Sequence, residues 1–373
     1  MHSKIEEVLR LAVANKASDV HLCFGLTPKM RINGELSEIT NIGVVDDGEL
    51  ILSLLSEEQK ERFLKEKELD FSVTMDTARF RANIYTQKGL PSCVLRVISD
   101  EIPELETLNL PETLKTFTQL RQGFILITGP TGQGKSTTVA AMLNEINKSA
   151  STNIVTIEDP VEYIIKPLKS IISQRELGGD TVSFDRALKS ALRQDPNVVF
   201  VGEMRDLETI QLALTVAETG HLVFSTLHTN SASQTIDRIV DVFPEGSKPQ
   251  IRIQLASVLS AVVSQRLIPA IRGGRVPAVE ILTACAATAN TIREGKTFMI
   301  DNVIQTGADL GMVSLEMSLA RLVKKGLVDE KVAMSYATKP VELQSPGQGL
   351  ERKIGQGGVR NGLKERSGGI DKG

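Results

Sequence analysis

The spacing of apolar residues changes repeatedly over the first hundred positions. Residues 5–13 place their apolar side chains on one helical face, whereas apolar and polar residues alternate afterwards. The alternating segments, typical of strands, are 20–24, 30–32, 71–75, 80–84 and 93–98. Asn33-Gly34 is typical of a two-residue hairpin turn, and a polar helix is predicted over 46–66. Residues 1–100 therefore predict a small α+β domain with an antiparallel sheet.

A different pattern begins after residue 113. Segment 101–113 carries two prolines and several acidic residues, which indicates a linker. Beyond it, continuous apolar runs alternate with helical stretches, the first of them over 136–148. The runs are 124–128, 153–157, 198–201 and 222–225. This alternation predicts an α/β domain over 114–344 with a mostly parallel sheet covered on both faces. Residues 345–373 are rich in glycine and charge, which predicts a disordered tail.

The glycine-rich segment 129–136, GPTGQGKS, fits the pattern G-x-x-x-x-G-K-[ST] between an apolar run and a helix. Its backbone amides and the helix N-terminus would hold the phosphates of a nucleotide. Lys135 would reach the β- and γ-phosphates, and the Ser136 hydroxyl would bind Mg²⁺. The predicted nucleotide-binding residues are Gly129, Pro130, Thr131, Gly132, Gln133, Gly134, Lys135, Ser136 and Thr137.

Two apolar runs end in acidic residues. Glu203 follows the run 198–201, and Glu158 follows the run 154–157. Because ligands of α/β proteins bind at the carboxyl ends of the strands, both carboxylates are expected near the phosphate loop. We assign Glu203 to the activation of a water molecule and Glu158 to a second carboxylate near the metal or that water. Both carboxylates would hold Mg²⁺ directly or through water. For Glu203, the alternative is a surface acid at the end of a strand.

Two histidines, His221 and His228, bracket the run 222–225. We expect both beside the sheet edge that carries the phosphate loop, where they would sense the γ-phosphate. A structural role is the alternative. Metal ligation is a third, but no further ligand stands at a suitable spacing.

Three arginines alternate with apolar residues in the first domain. Arg79 and Arg81 share a strand face, and Arg96 belongs to a neighbouring strand. They form either a solvated polar face or a group that stabilises charge on a nucleotide across a domain boundary.

Charge and cysteine content narrow the function classes. The 373 residues include 43 Lys+Arg and 46 Asp+Glu, for a net charge of −3, so direct nucleic-acid binding is not expected. The three cysteines are far apart, and we expect neither a disulfide framework nor a zinc site. The sequence has neither an apolar leader nor a run of about 18 apolar residues. A cytoplasmic protein is expected, attached to a membrane only through a partner.

Taken together, the motifs resemble the secretion ATPases of type II secretion and type IV pili. The resemblance rests on 17–36, 79–89, 129–138, 154–163, 193–210 and 219–232. The last four blocks stand in the order of the family's Walker A, Asp-box, Walker B and His-box motifs. The resemblance implies a PAS-like first domain, a RecA-like second domain and a ring of six subunits that hydrolyses ATP with Mg²⁺. It places Glu203 on the catalytic Walker B glutamate and Glu158 on the Asp-box acid. Arg81 and Arg96 fall on the family's phosphate-facing arginines, and His221 and His228 on its His-box histidines.

Within the family the chain is most similar to the pilus-retraction (twitching-motility) type. A long extra N-terminal region and a four-cysteine zinc site, both usual in assembly ATPases, are not found in the sequence. The sequence departs from the retraction type at residues 288–296. It reads TANTIREGK there, whereas the retraction type has a form such as AIRNLIREGK. The alternatives are an accessory or paralogous pilus ATPase and a type II secretion or conjugation-type ATPase. Implied partners are an inner-membrane pilus platform protein at the cytoplasmic face and paralogous pilus ATPases.

Overall fold

Two β-sheets, each with its own helices, make up the chain. The computed structural model describes residues 1–32, 34–76, 78–98 and 101–344. Within these ranges, one sheet of six strands lies in the first hundred residues and one of seven strands lies beyond them. Asn33 of the predicted Asn33-Gly34 turn and the whole predicted tail fall outside the described residues.

The first sheet is antiparallel, as predicted. Its strands are β1 (Asp19–Cys23), β2 (Lys29–Ile32), β3 (Glu35–Glu38), β4 (Glu68–Met75), β5 (Ala78–Gln87) and β6 (Leu90–Ile98), in the spatial order β3-β2-β1-β6-β5-β4. Its apolar face, including Val20, Phe80 and Leu95, packs against α1 (Ser3–Ala14) through Val8 and Leu9. Because side chains alternate along a strand, the arginines of β5 project from the opposite face.

The predicted helix over 46–66 is wrong as a single element. It is two helices, α2 (Gly48–Leu52) and α3 (Glu57–Glu66). The break has a local cause, since Ser56 accepts a hydrogen bond from the Gln59 amide while the Gln59 side chain accepts one from the Ser56 amide. This capping box begins a new helix instead of continuing the first.

The second sheet is parallel apart from one edge strand. Its strands are β7 (Gly123–Thr128), β8 (Asn153–Glu158), β9 (Ile171–Glu176), β10 (Val198–Val201), β11 (Leu222–Leu227), β12 (Leu259–Pro269) and β13 (Arg275–Thr283). Their order is β13-β12-β7-β11-β10-β8-β9, and only the β12–β13 pair is antiparallel among them. The mostly parallel sheet is confirmed.

Helices cover both faces of this sheet. The helices are α4 (Thr113–Phe117), α5 (Lys135–Ser149), α6 (Phe184–Ala191), α7 (Leu207–Glu218), α8 (Ala232–Asp241), α9 (Lys248–Val258), α10 (Ala286–Arg293), α11 (Ile300–Thr306), α12 (Leu315–Lys324), α13 (Glu330–Tyr336) and α14 (Pro340–Gln344). Ile125 and Ile127 of β7 pack with α4 and α5, whereas Phe124 and Leu126 pack with α7, α8 and α9. Within the described ranges, no helix has both the length and the apolar character needed to cross a membrane.

The segment predicted as a linker is packed against the second sheet's helices. It contains a 3-10 helix, Leu105–Leu108, whose buried Leu105 belongs to the same core as α5. Lys148 at the end of α5 forms an ion pair with Glu104. The stretch therefore contributes to the core as well as connecting the sheets. The domain boundaries themselves stay a prediction.

Candidate active site

The loop between β7 and α5 is shaped by glycines. Gly129, Gly132 and Gly134 have φ angles of 142°, 75° and 79°, a region that other residues seldom adopt. A Cβ added at Gly129 would lie 2.3 Å from the carbonyl oxygen of Gln265, so the close approach of β12 also requires glycine there. The loop ends at Gly134, and α5 begins at the next residue. The free backbone amides at a helix N-terminus can bind an anion.

Lys135 lies buried at the start of α5 and is held by the loop itself. Its Nζ donates to the carbonyl oxygens of Gly129 at 2.7 Å and Pro130 at 3.0 Å. Burial lowers the pKa of Lys135, although the acids Glu203 and Glu162 oppose this effect. The ammonium group is thus already positioned beneath the loop that would receive the phosphates.

Gln265 of β12 supports the phosphate loop, and sequence reasoning missed it. Its buried side chain donates from Nε2 to the Gln133 carbonyl oxygen at 2.7 Å and accepts from Thr138 Oγ1 at 2.8 Å. The Gln133 side chain in turn accepts from the backbone amide of Leu267 at 2.6 Å. The sequence did carry one signal, a glutamine within the largely apolar segment of β12. A buried amide side chain needs hydrogen-bond partners, so a glutamine at such a position indicates a specific contact.

Glu203 and His228 meet at the carboxyl ends of β10 and β11. His228 Nε2 lies 3.2 Å from Glu203 Oε1, and Arg205 Nη2 donates to Glu203 Oε2 at 2.8 Å. Burial alone would raise the pKa of Glu203, but the contacts with Arg205 and His228 outweigh it, so the pKa is lowered. Glu203 is thus kept ionised and able to accept a proton.

Glu158 at the end of β8 has a different environment. It is buried, and its Oε1 accepts from Thr156 Oγ1 at 2.6 Å and from Gln174 Nε2 at 3.2 Å. Burial raises the pKa of Glu158 to about 7, because the two hydrogen bonds only partly offset the loss of hydration. The two predicted carboxylates therefore differ in charge state near neutral pH.

Two arginines of the first sheet face the phosphate loop across a cleft. Arg81 of β5 and Arg96 of β6 are direct cross-strand partners, and both line the cleft. Arg96 Nε donates to Asp19 Oδ1 at 3.0 Å. The Arg81 side chain is exposed and makes no hydrogen bond or ion pair with any other residue of the described ranges. Its charge is available to an anion.

The prediction that His221 lies at this edge is wrong. It precedes β11, and β11 runs parallel to β7 with Leu222 opposite Gly123, so His221 stands at the amino end of the strand. Its Nδ1 lies 3.0 Å from both Val216 O and Thr219 Oγ1, at the end of α7. At about 3.3 Å per residue, the length of β11 separates His221 from the phosphate loop by about 20 Å within one chain.

Most of the other predicted residues surround one cleft of about 730 Å³, whereas Arg79 does not line it. The cleft is large enough for a nucleotide, and it is lined by residues of both sheets. Predicted residues on its wall are Arg81, Arg96, Thr131, Gly132, Gln133, Gly134, Lys135, Ser136, Thr137, Glu158, Glu203 and His228. Gly129 and Pro130 contact this set through the Lys135 ammonium. Arg275 of β13 was not predicted, and it also lines the cleft, donating to the Gly132 carbonyl oxygen at 3.3 Å.

The donor set suits Mg²⁺ that arrives with phosphates. Ser136 supplies a hydroxyl oxygen, and Glu158 and Glu203 line the same cleft. In the described ranges, no group of three or more His, Cys, Asp or Glu side chains could hold a metal ion alone. Mg²⁺ commonly binds with few protein ligands, water and substrate phosphates, which matches this arrangement.

A parallel sheet with a phosphate loop, and with acids and a histidine at the carboxyl ends of neighbouring strands, defines a P-loop ATPase. The comparisons with known proteins agree. The chain belongs to the type II/IV secretion system protein family, whose profile matches residues 1–336.

Three relatives show the range of the similarity. The chain is 45% identical over 340 residues to the type IV pilus retractation ATPase PilT of Pseudomonas aeruginosa, covering 90% of this chain and 98% of that protein. It is 36% identical to the type IV pilus ATPase PilU of the same organism, covering 91% and 90%. The crystal structure of the pilus retraction motor PilT with bound ADP superposes with a TM-score of 0.85 at 44% identity, covering 92% and 99%.

Proposed function

We propose that this protein is an ATP-hydrolysing motor that powers retraction of type IV pili. The observation that carries the proposal is the match, over nine tenths of both chains, to a type IV pilus retractation ATPase. The lower identity to a paralogous pilus ATPase, 36% against 45%, favours the retraction role over an accessory one. The altered stretch 288–296 is the point on which the accessory alternative rests.

The roles of the site residues follow from their positions. ATP would occupy the cleft, with its phosphates on the loop amides and on Lys135. Glu203 would take a proton from the attacking water as that water's oxygen bonds to the γ-phosphorus and the bond to ADP breaks. His228 would orient Glu203, and Arg81 with Arg96 would neutralise charge that develops on the transferred group. Bound Mg²⁺ would supply charge neutralisation, held by Ser136 and, directly or through water, by Glu158 and Glu203.

We also propose an arrangement of domains and subunits for this motor. The first sheet would be a PAS-like domain and the second a RecA-like domain, and six copies would form a ring. Because the cleft lies between the two sheets, binding and release of nucleotide would change their relative position. Repeated around a ring, such rigid-body motions would turn a membrane platform protein at the cytoplasmic face.

Counts of surface pili in the source bacterium test the proposal. Cells that lack the gene, and cells that carry Glu203→Gln, should show excess pili that do not retract and should lose twitching. The matched control is Glu208→Gln, which changes an exposed glutamate on the first turn of α7 and should leave pili normal. Bald cells would indicate an assembly motor instead. Unchanged pili would indicate the accessory role or another secretion system.

A further inference from the structure

One buried carboxylate joins the two sheets. Glu176, the last residue of β9, is only 6% exposed. Its Oε1 accepts from Ser72 Oγ at 2.5 Å, and its Oε2 accepts from Arg79 Nη2 at 2.9 Å. Both donors belong to the first sheet, whereas Glu176 belongs to the second. We refer to Ser72, Arg79 and Glu176 as the joint.

The joint stands next to the active site on both of its sides. On the second sheet, Glu176 is the register partner of Glu158, and its Oε2 also accepts from the Val161 amide at 3.0 Å in the loop that follows Glu158. On the first sheet, Arg79 lies two residues before Arg81 on the same strand face. A single carboxylate therefore connects the strand that carries Arg81 with the loop that follows Glu158.

The joint is a specific contact rather than a surface ion pair. The side chain of Arg79 is 24% exposed and that of Glu176 is 8% exposed. Arg79 Nε is buried and has no hydrogen-bond partner within the described residues, so Glu176 is what compensates the guanidinium there. Separating the two sheets would leave each buried charge without its partner, which is strongly destabilising.

Neither member of the ion pair lines the cleft. We propose that the Arg79–Glu176 ion pair is a positioning contact that holds Arg81 in place across the cleft from the phosphate loop and so sets the rate of ATP turnover rather than nucleotide affinity. This inference rests on the proposed ATPase function. Arg79 and Glu176 act through Arg81, because a small displacement of a charge-stabilising group lowers the reaction rate steeply.

Arg79→Met removes the charge and keeps most of the side-chain length. ATP turnover should fall at least ~10-fold, while the Kd of a fluorescent ADP analogue should change less than ~3-fold. Arg79→Lys keeps a charged donor and should recover turnover to within ~3-fold of wild type. Arg62→Met is the matched control, since it removes an exposed arginine paired with Glu66 on α3 and should leave turnover unchanged.

A double variant separates positioning from general structural damage. If Arg79 acts through Arg81, Arg79→Met should reduce turnover less than ~2-fold further in an Arg81→Ala background, because coupled residues are non-additive. If the double variant lost turnover by the product of the two single-variant factors, the inference would be overturned. Wild-type turnover in Arg79→Met would also overturn it. Should Arg79→Met fail to fold, Glu176→Gln takes its place in the same comparison.

A second readout needs no activity. Hydrogen exchange of a peptide covering 158–163 reports the Val161 amide that Glu176 holds. Arg79→Met should speed exchange in this peptide. Unchanged exchange would overturn the inference that the ion pair orders this loop, even if turnover is lost. A wild-type protein that does not hydrolyse ATP would overturn the proposed function, while the exchange comparison would still decide the joint.

Discussion

His228 links the lysine of the phosphate loop to the candidate catalytic glutamate. Its Nε2 lies 3.2 Å from Glu203 Oε1, and its Nδ1 lies 3.4 Å from Lys135 Nζ. A neutral imidazole with its proton on Nε2 satisfies both contacts, donating to the carboxylate and accepting from the ammonium group. A change at the phosphates would thus reach Glu203 through a single side chain.

Replacement of His228 should therefore impair turnover more than binding. His228→Ala removes the group that orients Glu203 but leaves the loop amides and Lys135 in place. We expect ATP turnover to fall ~10- to 100-fold, with the Kd for nucleotide within a few-fold of wild type. Steady-state kinetics together with equilibrium binding of a fluorescent nucleotide measures both.

His221 provides the matched control for this experiment. It is the same residue type on the same strand, yet it lies at the opposite edge and contacts the end of α7. His221→Ala should keep near-normal turnover. A loss as large as that of His228→Ala would contradict the assignment of the two histidines to different edges.

Glu203→Gln tests the proton acceptor directly. The amide keeps the size of the side chain and can still contact His228, but it cannot take a proton from water. Turnover should fall at least ~100-fold while ATP binding persists. Retained turnover would transfer the acceptor role to Glu158, since its raised pKa of about 7 allows it to exchange a proton near neutral pH. Glu208→Gln, on the exposed surface of α7, is again the control.

Motif order and strand direction explain why most of the site could be predicted from the sequence. Lys135, Glu158, Glu203 and His228 each follow an apolar run, and the carboxyl ends of parallel strands share an edge. The same rule shows why His221 was misplaced, because a residue that precedes a strand lies at the other edge.

What could not be predicted depends on contacts between distant segments. β12 was missed because Ser264, Gln265 and Arg266 interrupt its apolar run. The loop residue that Gln265 contacts, Gln133, lies 132 residues earlier in the chain. β9 is a half-exposed edge strand that ends in Glu176. Its partners Ser72 and Arg79 lie 104 and 97 residues earlier, so no local pattern reports the contact.

Gln265 should govern nucleotide affinity rather than the chemical step. Gln265→Leu leaves the Thr138 hydroxyl and the Gln133 carbonyl without their buried partner, at about 1–3 kcal/mol each. A loop that is less well ordered binds ground state and transition state more weakly by similar amounts. The Kd for ADP should rise ~10-fold or more, with kcat within a few-fold of wild type. Gln254→Leu, at a half-buried glutamine that donates to Glu218 far from the phosphate loop, should change neither quantity. A fall in kcat without a change in Kd would contradict this role.

The raised pKa of Glu158 predicts how stability depends on pH. In the unfolded chain the carboxyl titrates near 4.5, whereas in the fold it titrates at about 7. Between these values the folded protein binds more protons than the unfolded chain, so the free energy of unfolding falls as pH rises. The contribution of Glu158 is full below about pH 4.5 and is lost as pH passes about 7, amounting to ~3 kcal/mol at most.

Glu158→Gln isolates this effect. Its side-chain oxygen can still accept from Thr156 and Gln174, so the variant mimics the protonated acid at every pH. Urea unfolding from pH 4 to pH 8 should show wild type losing stability relative to the variant as pH rises. Parallel curves for the two proteins would contradict the shifted pKa. Glu208→Gln should follow wild type throughout.

The two arginines of the first sheet should contribute unequally. Arg96 is already paired with Asp19, and the contact helps to lower the pKa of that acid against the opposing effect of burial. Arg81, in contrast, has no ion pair within the described ranges, so its full charge can act on a phosphate. Arg81→Ala should therefore lower turnover by at least ~10-fold, and more than Arg96→Ala does, with smaller effects on nucleotide Kd for both. Arg10→Ala is the control and should match wild type, because it removes only the exposed ion pair between Arg10 of α1 and Asp76, the residue after β4. If Arg96→Ala caused the larger loss, Arg96 would have to leave Asp19 when nucleotide binds, and the cleft would rearrange more than the positions of these side chains imply.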